Sequence, residues 1–149
     1  MGLIERIGGR RTYLDSNIFI YAFEGHPAFS ESLARLLAEI EHQRVDAATS
    51  EISLAEALVM PLREGRADLV SVYEVFLQSR PSFAVVPVSR AVLVEAARLR
   101  AGTRLKLPDA IHAATARHAG CDVLLTNDTG IKAVPGLEVV RLADLVDHG

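Results

Sequence analysis

The chain has 149 residues, 50% apolar and 23% charged, which suits one globular domain with a sizeable core and excludes a disordered chain. A formal net charge of -3 speaks against a nucleic-acid binder that relies on bulk positive charge. No uninterrupted apolar run of about 20 residues is present, so no transmembrane helix is expected, and the single Cys121 cannot form an internal disulfide.

Residues 1–11 read as a flexible leader, Met1 to Arg11, without the basic-then-apolar order of a secretory signal. A cytoplasmic location is the simplest expectation, with Cys121 as a buried thiol. Thr12-Tyr13-Leu14 predicts a short strand ending at Asp15, with Ser16 and Asn17 capping a turn or helix that holds Ile18 to Tyr21. Pro27 precedes a helix in which Phe29, Leu33, Leu36, Leu37 and Ile40 recur at helical spacing. Residues 45–49 predict a second strand, and Ser50 the N-cap of a helix from Ile52 to Leu62 that carries Glu56. After Gly65, the positions Leu69, Val72, Tyr73, Phe76 and Leu77 mark another amphipathic helix, stopped near Pro81.

Phe83 to Val88 predicts a third strand, followed by a helix with Val92, Leu93, Ala96, Ala97 and Leu99 inward. Pro108 suits the first turn of a helix from Asp109 to His118, with Gly120 at its C-terminal cap. A fourth strand, Val123 to Thr126, leads into Asn127-Asp128-Thr129-Gly130, and a last strand, Leu137 to Leu142, precedes a brief terminal helix. Apolar strands separated by helices imply an α/β domain with a mainly parallel sheet covered on both faces. Such sheets bind ligands outside the carboxyl ends of their strands, where Asp15, Thr126 and Asp128 are expected.

Four acids lie in apolar surroundings: Asp15, Glu56, Asp109 and Asp128. If they converge, two of these charges about 4 Å apart repel by roughly 4 kcal/mol at an effective dielectric of about 20. A divalent cation removes that penalty. Oxygen-only ligands suit Mg²⁺, with Mn²⁺ able to substitute, and such a site activates water for attack on a phosphodiester. Each acid also has a structural alternative: a cap for Asp15, an arginine pair for Glu56, a helix-dipole partner for Asp109 and an ordinary turn for Asp128. Four carboxylates do not distinguish one ion from two.

In order, Tyr13-Leu14-Asp15-Ser16-Asn17, Ser50 to Glu56, Leu105 to Ala116 with its Leu-Pro-Asp-Ala-Ile-His core, and Leu124-Leu125-Thr126-Asn127-Asp128 resemble the PIN-domain ribonucleases of the VapC toxin family over residues 12 to 145. The resemblance implies a three-layer α/β/α sandwich with four or five strands, one PIN domain spanning residues 12–149. It also implies metal-binding or water-positioning roles for Asp15, Glu56, Asp109 and Asp128. Ser16 and Thr126 match polar family positions near the metal or scissile phosphate, and Asn17 and Asn127 brace the turns. The implied activity is that of an endoribonuclease acting on a structured RNA, working as a homodimer and restrained by a cognate antitoxin protein. Ile131 stands where relatives often carry an aromatic residue, and the loop after Asp128 lacks a further acid. Three acids are therefore expected as direct ligands, with the fourth assisting.

His112, three residues after Asp109, reads as a helix-packing or hydrogen-bonding residue, since metal-activated water does not need it, with a place in the active-site shell as the alternative. His118 suits a helix end, and His26, His42 and His148 show no zinc pattern. Arg98, Arg100, Arg104 and Lys106 form a basic run that serves as a solvated face, an RNA-phosphate contact or an antitoxin contact. Arg63 and Arg66 allow the same uses. Two other functions stay open: a catalytically weak PIN-like module that binds a protein, and a nuclease for single-stranded or flap DNA.

Overall fold

The computed structural model describes residues 2–146; His148, the other residues after 146, and Met1 lie outside the described residues. The elements run α1 (Leu3–Ile7), β1 (Thr12–Leu14), α2 (Ser16–Glu24), α3 (Ser30–Glu41), β2 (Ala47–Ser50), α4 (Glu51–Arg63), α5 (Ala67–Phe76), β3 (Phe83–Val86), α6 (Arg90–Gly102), α7 (Leu107–His118), β4 (Val123–Thr126), β5 (Glu138–Arg141) and α8 (Ala143–Val146). The five strands form one parallel sheet in the order β3-β2-β1-β4-β5.

Strand side chains alternate between faces, and that alternation divides the core in two. Leu14, Ala47, Val123 and Leu125 point to the face covered by α1 through α5, where Phe19, Leu33, Leu36, Leu69 and Tyr73 meet them. Tyr13, Ala48 and Leu124 point to the face covered by α6 and α7, against Val92, Ala96, Leu99, Ala110 and Ala113. The result is the expected three-layer sandwich. Cys121 is buried, and Ile131 is fully buried on the α7 face, consistent with a packing change at that position.

Local signals act as expected. Ser50 Oγ accepts from Ile52 N–H at 3.1 Å, capping α4, and Pro108 stands in the first turn of α7. Gly120, at φ 70°, takes the left-handed conformation just past Ala119, the C-cap of α7.

Residues 1–11 depart from the expected flexible leader. Residues 3–7 form α1, with Leu3 and Ile7 buried in the larger core. Glu138 of β5 pairs with both Arg6 and Arg10, tying this segment to the sheet edge. The apolar spacing of Leu3 and Ile7 is one helical turn, too short a pattern to distinguish from a leader without its tertiary partners.

Among the described residues, no helix is long and apolar enough to cross a membrane.

Candidate active site

The sheet order reverses at β1: the chain builds outward through β2 and β3, then returns to add β4 and β5 on the other side. The crevice beyond the carboxyl ends of β1 and β4 is therefore the natural ligand position. Asp15 follows β1 and Asp128 lies two residues past β4. Asp109 sits in the first turn of α7 and Glu56 midway along α4.

Asp15 is buried, and both of its carboxylate oxygens accept hydrogen bonds. Its Oδ1 accepts from the Ser16 backbone N–H at 2.6 Å and from the Ser16 hydroxyl at 3.3 Å, while its Oδ2 accepts from the Thr126 hydroxyl at 2.6 Å. Asp15 is also the N-cap of α2. Thr126 Oγ1 also accepts from Asp128 N–H at 3.0 Å, so one hydroxyl joins the ends of β1 and β4. Asp128 Oδ1 accepts from Gly130 N–H at 2.7 Å, which fixes the turn. Asn127 Oδ1 accepts from Ala143 N–H at 3.1 Å, which ties the loop to the start of α8. Asn17 lies beside Ser16 in the first turn of α2.

The acids act on one another. Burial, a hydrogen bond with Asp128 and the charges of Asp128 and Asp15 together push the Asp109 carboxyl up to about 7. Burial also works against ionisation of Glu56, but its hydrogen bond to His112 and the His112 charge outweigh this, and the Glu56 carboxyl is lowered despite the opposing charge of Asp128. All four sequence-selected acids therefore belong to one electrostatic cluster.

A side chain at Gly130 would put its Cβ 3.1 Å from Asp128 Oδ1 and 3.4 Å from Asp109 Oδ2. The two carboxylates border a space that glycine leaves open. Oxygen-only donors and a repelling acid pair suit Mg²⁺ or Mn²⁺, which bind through few carboxylates and keep several waters. Among the described residues, no group of three or more His, Cys, Asp or Glu side chains is placed to hold a metal ion together. The fit rests on Asp109 and Asp128, with Asp15 and Glu56 adjoining them.

The sequence favours packing or hydrogen bonding for His112, with a place in the active-site shell as the lesser alternative. In the structure its Nε2 lies 2.6 Å from Glu56 Oε1 and 3.7 Å from Asp15 Oδ1, and its Nδ1 lies 2.6 Å from the Tyr13 hydroxyl. The available signal was its i, i+3 relation to Asp109, which puts both on one face of α7. The basic run is exposed. Arg98 lies 3.7 Å from Glu95 on α6, Arg100 is in the last turn of that helix, Arg104 is in the connector, and Lys106 is the N-cap of α7, three residues before Asp109.

The sequence profile of the PIN domain matches residues 12–137. No curated protein matches the chain by sequence. Among solved structures, a toxin-antitoxin complex from Klebsiella pneumoniae contains a chain 26% identical, with 87% of this chain and 95% of that chain covered and a TM-score of 0.64. VapBC2 from Rickettsia felis, bound to a DNA fragment from its promoter, gives 23% identity, 88% and 98% coverage and a TM-score of 0.65. The sarcin-ricin loop cleaving toxin VapC20 of Mycobacterium tuberculosis gives 16% identity, 76% and 86% coverage and a TM-score of 0.61. With a family profile spanning most of its length and the VapC-like form of the fold around four convergent acids, this chain belongs to the PIN-domain family.

Proposed function

We propose that this chain is a Mg²⁺-dependent endoribonuclease, with Mn²⁺ able to substitute, and the toxin of a toxin-antitoxin pair. The observation that carries this reading is the Asp109–Asp128 pair at the sheet's switch point, whose carboxylates border the space left open at Gly130, with burial first and the neighbouring Asp128 second pushing the Asp109 carboxyl up to about 7. Asp109 and Asp128 would hold the ion. Asp15, anchored by Ser16 and Thr126, would add a third oxygen donor, and Glu56 would orient the attacking water. When bound, the cation supplies the positive charge that eases water ionisation and offsets charge on the phosphate. The exposed Lys106 and the arginines Arg98, Arg100 and Arg104 would contact RNA phosphates.

The RNA assignment draws on the resemblance to VapC toxins, among them a structure named for cleavage of a ribosomal loop. A structured RNA substrate is drawn from the same resemblance. A cognate antitoxin as partner is supported by fold neighbours solved as VapBC complexes. Val59, Met60, Leu62, Val72 and Val75 of α4 and α5 are exposed apolar side chains suited to covering by that partner or by a second copy in a homodimer.

The test is end mapping of a structured-RNA panel, with single-stranded DNA in parallel, using protein supplied with Mg²⁺ or Mn²⁺, EDTA-treated protein, and the Asp15→Asn and Asp128→Asn variants. Metal-dependent RNA cuts that vanish in both variants are expected. Undiminished cutting by both variants would reject the assigned site, and cutting confined to DNA would reject the substrate.

A further inference from the structure

His112 is only 1% exposed, yet both of its ring nitrogens end in short hydrogen bonds. On one side stands the Tyr13 hydroxyl, from a residue of the central strand that is itself fully buried and whose ring meets the imidazole edge-on at 5.7 Å. On the other side stands Glu56 Oε1. An ionised carboxylate can only accept, so Nε2 carries a hydrogen whether the imidazole is neutral or protonated. The Tyr13 oxygen complements the first case by donating to Nδ1 and the second by accepting from it. The imidazole is therefore locked in plane and in orientation by the strand that leads into Asp15.

Glu56 lacks that rigidity by itself. It projects from α4 on a long side chain, half-buried, and its carboxylate has several accessible rotamers unless a partner selects one. His112 sits on the α7 face that carries Asp109, so α7 supplies one acid directly and a rigid donor to a second acid on another helix. We propose that His112 is a positioning residue of the acidic site: gripped by Tyr13, it donates from Nε2 to Glu56 and holds that carboxylate within the cluster formed with Asp15, Asp109 and Asp128. The inference rests on the metal-nuclease reading of those four acids. It gives His112 no contact with substrate and no proton to transfer.

Two amide substitutions separate positioning from packing. His112→Gln sets an amide nitrogen near the place of Nε2 and keeps a donor to Glu56, whereas His112→Asn sets its amide near Nδ1 and falls short of Glu56. Both remove the ring, so a purely structural role predicts Mn²⁺ affinities that simply follow the melting temperatures of the two variants. Mn²⁺ titration of wild type and both variants by electron paramagnetic resonance, with melting temperatures recorded alongside, is expected to show the Asn variant binding at least about tenfold more weakly than the Gln variant, the scale of outer-shell effects on metal sites. The melting temperatures of the two variants are expected to stay within a few degrees of each other. The ¹⁵N spectrum of the metal-free wild type is expected to show a hydrogen on Nε2 of His112 whose resonance moves in Glu56→Ala.

Equal weakening of Mn²⁺ binding in the Asn and Gln variants, or an Nε2 that carries no hydrogen, would overturn the positioning role while leaving the metal site standing. Absence of Mn²⁺ binding by the wild type would overturn both. If the Asn variant alone fails to fold, the ¹⁵N measurement on the wild type decides.

Discussion

Replacing Asp128 by Asn should stabilise the metal-free protein and remove its stabilisation by metal. Asn keeps an oxygen in the place that accepts from Gly130 N–H, so the turn survives while the charge facing Asp109 is lost. The Asp109 carboxyl rises from its ordinary 3.8 to about 7 in the fold. Between those values the folded state holds a proton that the unfolded state has released, so stability falls as pH rises through the window, and above about 7 the full penalty is present. The shift alone would be worth roughly 4 kcal/mol. Solvent screening at a part-exposed carboxyl reduces this to about 1–2 kcal/mol. Burial is its largest cause and is untouched by the substitution, so relief of about 1 kcal/mol is expected at pH 8, or about 2–4 °C in melting temperature for a chain of this size. The gain should shrink at pH 5, where Asp109 is already protonated. With Mn²⁺ at about 100 times its dissociation constant, the wild type should gain roughly 2.7 kcal/mol and the variant little, so the order of melting temperatures reverses between EDTA and Mn²⁺. Thermal denaturation at both pH values checks this. An Asp128→Asn protein that melts below the wild type in EDTA at pH 8 would refute the claim that the pair repels.

Mn²⁺ affinity in the wild type should rise with pH up to about 7 and then level off, because the Asp109 proton must leave before the carboxylate can ligate; calorimetric titration across pH 5.5 to 8.5 reads the trend. Thr126→Val removes the fully buried hydroxyl that joins Asp15 to Asp128 N–H and should cost about 1–3 kcal/mol in urea denaturation, together with most of the RNA cleavage. Ile7→Ala should cost about 2–4 kcal/mol, since Ile7 is fully buried; a change under about 0.5 kcal/mol would return residues 1–11 to the status of a leader. Val75→Asp, at a residue 71% exposed on α5, should leave stability within about 0.5 kcal/mol while weakening co-purification with the proposed antitoxin partner.

Much of this fold is written in local pattern. Each strand has a short apolar run, each long helix has its periodic stripe, and Ser50, Pro108 and Gly120 punctuate the chain through backbone chemistry that needs no distant partner. The four acids were legible for the same reason, since a charge beside Leu14, within an Ala-Leu-Val helix or after Leu125 stands out against its neighbours in the chain. Other features depend on residues far apart in sequence. The strand order β3-β2-β1-β4-β5 brings Asp15 and Asp128 to one crevice. Leu3 and Ile7 form too short a pattern to read until α3 and the Glu138 pairs give that helix something to pack on. His112 looks like one more inward residue of an alanine-rich helix, and its bonds to Tyr13 and Glu56 span 99 and 56 residues of chain. The sequence by itself determined which residues are apolar, which are acidic and where elements start and stop, because those follow from side-chain chemistry and local backbone preference. Only the tertiary structure decided which acids repel, which hydroxyl joins them and which histidine steadies them, because hydrogen bonds and charge interactions depend on distances of a few ångströms that sequence separation does not specify.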